Sequence, residues 1–374
     1  MISPADFCAV LEKVGIDFYC GVPDSLLKNL CTFIDKHFAK DNHIITANEG
    51  NAVALALGRY LATSHPAVVY MQNSGLGNAI NPLTSLADVE VYSIPMLLVI
   101  GWRGEPKVKD EPQHVKQGAI TEQQLALLDI PYIVLDADSQ LEQDMLPLLN
   151  TMLEQSRPVA VLVRKNTFTI ESAAVSSNTQ STLQREKALE TILSLLSPDD
   201  LVVSTTGKTS REVFEVRKAK QQINSDFLTV GGMGHTSSIA MGVALGRPES
   251  KVVAIDGDGS MLMHMGAMPI IGCHHVTNLV HIVLNNQAHE SVGGQPTIAG
   301  EIDLRQIALA SGYKQYYCAY DEASVHQHWL LLSQQQGPIL FEIKIAIGSR
   351  ENLGRPSTSP IENKQQFMRH AGSL

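Results

Sequence analysis

Short apolar runs alternate with stretches of helical periodicity twice along this chain, and that alternation narrows the folds open to it more than any other feature. Ser3-Pro4 is a helix start, after which Phe7, Val10, Leu11 and Val14 recur at helical spacing until Gly15. There follow strand Ile16–Gly21, helix 25–36, strand 43–47, helix 50–63, strand 67–71, helix 77–90 and strand 95–100. A long charged loop, Trp102–Gly118, precedes helix 121–128, strand 132–135, helix 141–155 and strand 158–164. Residues 169–184 are small, polar and aperiodic, which reads as a linker. The alternation then restarts with helix 185–196, strand 201–204, helix 208–216, strand 227–230, helix 236–245 and strand 251–256. Helix 260–271, strand 279–284, helix 303–311 and strand 338–345 complete it. The expectation is two α/β domains, 1–168 and 185–348, each a parallel sheet with helices on both faces, and a Pro-, Ser- and Asn-rich tail, 349–374.

Composition agrees with a globular, non-spanning chain. With 374 residues, 44% hydrophobic and 18% charged, the chain can bury a large core. The 28 basic and 38 acidic residues leave a net charge of −10, so no nucleic-acid or anionic-membrane partner is expected and an anionic ligand needs local donors. The longest apolar stretch, around Ile94–Ile100, falls far short of the ~20 residues that span a bilayer, and Met1–Val14 has no export pattern. A cytoplasmic location is expected. The five cysteines (Cys8, Cys20, Cys31, Cys273 and Cys318) form no Cys-x-x-Cys pair and read as reduced thiols.

In open α/β sheets ligands bind beyond the carboxyl ends of the strands, so polar residues just after each strand direct the search. Gly257-Asp258-Gly259-Ser260 follows the apolar run Val252–Ile255, and Asn285-Asn286 follows Leu279–Leu284 one crossover later. One carboxylate and one amide oxygen then emerge at the same edge. These are hard ligands, too few for a protein cage, and suit Mg²⁺ shared with phosphate oxygens. Gly257 and Gly259 let the backbone approach a ligand, and Ser260 begins a helix whose amides favour a diphosphate. Alone, Gly-Asp-Gly is also an ordinary strand–turn–helix junction; Asn-Asn at crossover spacing favours the functional reading.

This pair of elements resembles the signature of the thiamine-diphosphate enzymes. The resemblance implies Mg²⁺ held by Asp258, the Asn286 side chain and the backbone carbonyl of Ala288, with thiamine diphosphate bound at Gly257–Ser260. In Gly231-Gly232-Met233-Gly234 it implies that the Gly231 carbonyl accepts from the pyrimidine amino group and that Met233 wedges the cofactor into its bent form. Glu49, in Asn48-Glu49-Gly50, is implied to share a proton with the pyrimidine N1′, a task that suits a desolvated carboxyl. Without the resemblance, Asn48 and Glu49 are a helix cap and an acidic first turn, and Met233 is core packing. Because pyrimidine and diphosphate partners lie in different domains, the family builds its site between two chains, which implies a homodimer or higher homo-oligomer.

Many members of that superfamily carry a middle domain where this chain has only a short linker, which points to the compact decarboxylases of acidic 2-oxo acids. Cys20–Leu27, Asn73–Asn78, Asn81-Pro82-Leu83, Ile100–Pro106, Asp110–His114 and Leu353–Pro356 are together similar to the phosphonopyruvate decarboxylases. The implied reaction turns 3-phosphonopyruvate into phosphonoacetaldehyde and CO₂ in phosphonate biosynthesis. Asp24 and His114 are the candidates for proton handling, His114 for its near-neutral pKa, although Asp24 is equally a cap for helix 25–36 and His114 a solvated loop residue. Ser25, Asn73, Ser74 and Arg103 are the candidate donors to the phosphonate, with His289 close to the metal loop and Arg350 and Arg355 in the tail. The rival substrate is sulfopyruvate, against which the fused two-domain chain weighs. Acetolactate-type carboligation, an NAD-binding oxidoreductase and a noncatalytic partner are the remaining alternatives; no Gly-x-Gly-x-x-Gly opens a helix after a strand here.

Overall fold

The structure is a computed structural model and describes residues 1–170 and 181–373. The chain divides into two compact units, each built on one six-stranded sheet. In the first unit β1 (Tyr19–Gly21), β2 (His43–Ile45), β3 (Ala67–Gln72), β4 (Met96–Gly101), β5 (Tyr132–Leu135) and β6 (Pro158–Val163) lie in the order β2-β1-β3-β4-β6-β5. In the second, β7 (Leu201–Ser204), β8 (Phe227–Leu228), β9 (Val252–Gly257), β10 (Leu279–Asn285), β11 (Gln315–Ala319) and β12 (Ile339–Lys344) lie in the order β8-β7-β9-β10-β12-β11. Every pairing of these strands is parallel, and the two sheets are wound identically, strand for strand. The expected parallel α/β fold is the observed one.

Burial follows from this winding. β3, β4 and β6 are covered on both faces, so their residues are apolar without alternation. Val68 and Tyr70 of β3 enter one core with Phe7, Leu11 and Leu149, while Val69 and Met71 enter the opposite core with Val53, Leu76 and Leu98. In each unit the first and third strands are neighbours whose connections leave in opposite directions, so a crevice opens at their carboxyl ends: β1 beside β3, and β7 beside β9.

Several expectations are corrected. The loop expected over Trp102–Gly118 ends early, because Pro112 occupies the first position of a helix that runs Pro112–Leu127. His114 therefore sits buried in a first helical turn, and not in a solvated loop. Helix 77–90 is Leu76–Pro82 followed by a wider turn over Leu83–Ala87, and helix 260–271 is split into Asp258–Met263 and Ala267–Cys273. The helix expected at 25–36 begins at Lys28 with no side-chain cap, so Asp24 does not cap it. β11 and helix Glu322–Leu332 were not anticipated, although Tyr316, Tyr317, Cys318 and Ala319 make an apolar run there; β11 is a short edge strand, mostly half-buried. Nor was helix Pro360–His370, inside the expected tail, which has a reciprocal cap between Ser359 and Glu362. Its Phe367 meets Phe227 edge-on at 5.6 Å, and Asn363 accepts from the Leu228 amide at 3.0 Å, so this helix covers the edge strand β8. Residues 171–180 of the expected linker 169–184 lie outside the described residues. No described helix is long and apolar enough to cross a membrane.

Candidate active site

The metal-type residues are placed by strand register. Leu284 of β10 pairs with Gly257 of β9, so Asp258 and Asn285-Asn286 leave adjacent strands at the same edge. Asp258 opens helix Asp258–Met263 and is buried. Desolvation pushes its carboxyl up to about 6, opposed by the Thr297 hydroxyl, which donates to Oδ2 at 2.5 Å, and by the amides of Gly259 and Gln287. The two asparagines differ in role. Asn285 ties the end of β10 to β12, its Nδ2 donating to Glu342 Oε1 at 2.6 Å and its Oδ1 accepting from the Gln287 amide at 3.1 Å. Asn286 donates from Nδ2 to Glu290 Oε2 at 3.0 Å and accepts at Oδ1 from the amide of Ala288 at 3.1 Å.

Around this edge the other expected cofactor residues gather. Ser260 Oγ accepts from the amide of Gly234 at 3.0 Å and from the Thr205 hydroxyl at 3.1 Å, joining the loops after β8, β9 and β7. Met233 is half-buried in the loop and not in the core, and its Cε lies 3.6 Å from where a Cβ on Gly259 would stand. His289 lies against the same glycine, its Cε1 3.1 Å from that position, and desolvation lowers its pKa to about 4. Gly231 and Gly257 flank these residues in the chain. Among the described residues no group of three or more His, Cys, Asp and Glu side chains converges on one point. The donors at this edge are one carboxylate, one carboxamide and backbone oxygens, a set that suits Mg²⁺ completed by phosphate oxygens and water, not zinc or copper.

The first unit gathers a second cluster at its own carboxyl edge. Asp24, after β1, is fully buried; its Oδ2 accepts from the Leu26 amide and its Oδ1 from Gln72 Nε2, both at 2.7 Å. Desolvation raises its pKa against the pull of these bonds and of Arg103. Arg103, after β4, donates from NH1 to Ser25 Oγ at 2.9 Å and grips Asp110 through Nε at 2.8 Å and NH2 at 2.5 Å. Burial opposes ionisation of Asp110, but the Arg103 fork and the amides of Glu111 and Gly104 hold its carboxyl well below the usual range. The His114 pKa is pushed down by desolvation and by Arg103, against the opposing charges of Asp110 and Glu111.

Glu49 begins helix Glu49–Thr63, with Asn48 as cap, and is buried. Its Oε2 accepts from Asn78 Nδ2 at 2.8 Å, and a Cβ on Gly75 would stand 2.5 Å from its Oε1, so a side chain there would displace the Glu49 carboxyl. Ser74 is exposed and donates to Gln72 Oε1 at 2.9 Å. Asn73 is different: its Nδ2 donates to the Arg103 carbonyl at 2.8 Å and Thr121 Oγ1 at 2.9 Å, and its Oδ1 accepts from the Arg103 amide at 3.2 Å. With both ends of its amide engaged and no exposure, Asn73 braces the Arg103 backbone and is not an open donor to substrate. In the second unit Arg350 pairs with Glu186 at 3.0 Å and with Glu215 at 2.7 Å.

Residues 5–127 match the N-terminal TPP binding domain of the thiamine pyrophosphate enzymes, and residues 203–343 match their C-terminal TPP binding domain. A phosphonopyruvate decarboxylase of Streptomyces viridochromogenes is 34% identical, over 98% of this chain and 94% of that protein. The chain belongs to the thiamine pyrophosphate enzymes. Within that family it is related to the phosphonopyruvate and sulfopyruvate decarboxylases: a second phosphonopyruvate decarboxylase, from Streptomyces hygroscopicus, is 34% identical over 99% of this chain and 94% of that one. A sulfopyruvate decarboxylase of Methanosarcina acetivorans is 32% identical over 81% of each chain. That last match runs through both units, so a fused two-domain chain does not by itself weigh against sulfopyruvate.

Gln72, Asn78, Asp110, Thr297 and Glu290 were not assigned roles from the sequence, although each bonds an expected site residue in this thiamine pyrophosphate enzyme. Asn78 and Asp110 stand inside the recognised runs Asn73–Asn78 and Asp110–His114, which is the one signal that singles them out. Nothing in the sequence links Thr297 to Asp258.

Proposed function

We propose that this thiamine pyrophosphate enzyme decarboxylates 3-phosphonopyruvate to phosphonoacetaldehyde and CO₂, with Mg²⁺ as its second cofactor. Decarboxylation of a 2-oxo acid is common to the named relatives, and the observation that carries the finer reading is the extent of likeness: two phosphonopyruvate decarboxylases align over nearly the whole chain, against 81% for the sulfopyruvate enzyme. Asp258, Asn286 and the carbonyl of Ala288 would hold Mg²⁺, and Gly231, Met233, Gly257, Gly259 and Ser260 would hold the cofactor. When bound, thiamine diphosphate supplies an electron sink for the pair left behind as CO₂ departs.

The chain's own residues have four tasks. Glu49, oriented by Asn78, holds a proton against the pyrimidine ring. Asp24, whose burial favours the protonated form, holds the one proton that replaces CO₂ on the product. His114, held in a first helical turn by Pro112, is the second candidate for handling that proton. Arg103, Ser25, Ser74 and His289 bind the phosphonate and orient it; the Arg103–Asp110 pair is already charge-balanced, so it contributes directed N–H donors more than net charge. We further propose that the working form is a homodimer or larger homo-oligomer with each site built between chains. Comparison of kcat/KM for phosphonopyruvate and sulfopyruvate tests the substrate. A preference of about tenfold or more for the phosphonate, the factor produced by roughly 1.4 kcal/mol, supports the reading, and the reverse preference assigns the sulfonate.

A further inference from the structure

Four residues past Asn286, on the same loop, Glu290 is buried against two cations. Arg185 engages Glu212 through a two-pronged bond at 2.6 and 2.9 Å, and its remaining nitrogen NH1 donates to Glu290 Oε2 at 3.0 Å. Lys208 donates to the other oxygen of Glu290 at 2.8 Å. The four side chains balance in charge, two positive and two negative, so this cluster adds no net field to draw in a cation. What it offers the loop is one further bond: Asn286 Nδ2 donates to Glu290 Oε2 at 3.0 Å.

That bond decides which end of the Asn286 amide is presented. A carboxamide has nearly the same shape in two orientations related by a half-turn, and only its oxygen end can ligate a hard cation. A carboxylate gripped by Arg185 and Lys208 accepts and does not donate, so it takes the NH₂ end. The amide of Ala288 is a donor and takes the oxygen end, at 3.1 Å, leaving that oxygen a second lone pair. Both contacts enforce the same orientation, and the reversed one would set NH₂ against N–H and oxygen against oxygen.

We propose that Glu290 is a positioning residue that locks the Asn286 carboxamide with its oxygen available to the divalent cation, and that Arg185 and Lys208 hold Glu290 for this task. The inference rests on the reading of Asn286 as a cation ligand. It differs from a purely structural role for Glu290, in which the cluster only fastens helices Arg185–Leu195 and Lys208–Ala219 to the loop.

The test is the Mg²⁺ concentration that half-saturates thiamine diphosphate binding, measured by calorimetry without substrate, alongside thermal melting of the cofactor-free protein. Partners of metal ligands typically contribute about 10–100-fold to metal affinity, and Glu290→Ala is expected to lose that much, with cofactor binding restored at high Mg²⁺. Unchanged Mg²⁺ dependence in a folded Glu290→Ala variant overturns the proposal. Because removing Glu290 takes a partner from buried Arg185 and half-buried Lys208, a reciprocal exchange provides a second route. Asn286→Asp sets a carboxylate against Glu290 and should weaken Mg²⁺ binding; adding Glu290→Gln supplies an amide donor to that new carboxylate and should recover about tenfold or more, a coupling expected only of direct partners. A double variant no tighter than Asn286→Asp alone overturns the proposal. Wild-type protein that binds thiamine diphosphate equally well without divalent cation would instead defeat the reading of Asn286 on which it rests.

Discussion

Gln72 donates from Nε2 to Asp24 Oδ1 at 2.7 Å while its own Oε1 accepts from the Ser74 hydroxyl, so one amide links an exposed serine to a fully buried carboxyl. The bond from Gln72 lowers the Asp24 pKa, against the larger upward push of burial. Replacing Gln72 by Leu removes the lowering contribution, so the Asp24 limb of the pH–rate profile should move to higher pH. Asp24→Asn should bind cofactor normally and lose about 10²–10⁴-fold in kcat, the usual contribution of a positioned proton donor. A pH profile unmoved by Gln72→Leu, or normal turnover in Asp24→Asn, would remove Asp24 from proton handling.

The end of β4 is shaped to admit that carboxyl. A Cβ on Gly101 would overlap Asp24 Oδ2, so Gly101→Ala must displace Asp24 and should cost about 1–3 kcal/mol, the usual range for overpacking. Gly242, inside helix Thr236–Gly246, has nothing within 4 Å of its Cβ position, and Gly242→Ala should gain about 0.4–1 kcal/mol. Denaturant unfolding of the two variants checks the pair; equal effects would contradict the packing at Gly101.

Asn78 orients Glu49 through the 2.8 Å bond to Oε2. Glu49→Gln should retain thiamine diphosphate yet lose about 10²–10⁴-fold in turnover. Asn78→Ala should lose less, with its KM for substrate preserved, because it acts through Glu49. Steady-state kinetics with a parallel cofactor titration separates these outcomes, and wild-type turnover in Glu49→Gln would exclude the carboxyl from the chemistry.

Asp110 gives a pH dependence of stability whose sign is fixed. Its folded pKa lies below the ordinary carboxylate value, so the stabilisation is complete above about pH 4 and is lost as pH falls through the folded pKa. Asp110→Asn should therefore be less stable than wild type at neutral pH, with the gap closing in strong acid. Chemical unfolding at neutral and acid pH reads this directly. Arg103→Ala should raise KM for phosphonopyruvate far more than for pyruvate, which has no anionic tail; a uniform rise would place Arg103 outside anion binding.

The fold was legible because both sheets are parallel and buried on two faces, so their central strands announce themselves as unbroken apolar runs such as Ala67–Met71 and Val252–Ile255. β11, Gln315–Ala319, is a short, partly exposed edge strand that escaped although four of its five residues are apolar or aromatic. Helix Pro360–His370 escaped because a Pro- and Ser-rich lead-in hid a capped helix. At the site, Glu49, Asp258 and Asn286 stood out by residue type directly after a strand. The residues that hold them did not: Thr297 reaches Asp258 from 39 positions away, and Gln72 reaches Asp24 from 48, distances set by strand order and not by local pattern. His114 was misplaced for a local reason, the helix-starting Pro112 lying unheeded in a charged segment.

The central claim is that this chain is a decarboxylase whose activity depends on thiamine diphosphate and a divalent cation, acting on phosphonopyruvate. The direct measurement is CO₂ and phosphonoacetaldehyde release from phosphonopyruvate by protein stripped of small molecules, with thiamine diphosphate and Mg²⁺ supplied singly and together. Equimolar CO₂ and aldehyde are expected only when both are present. Turnover without thiamine diphosphate, or cofactor binding with no release of CO₂ from phosphonopyruvate, would contradict it.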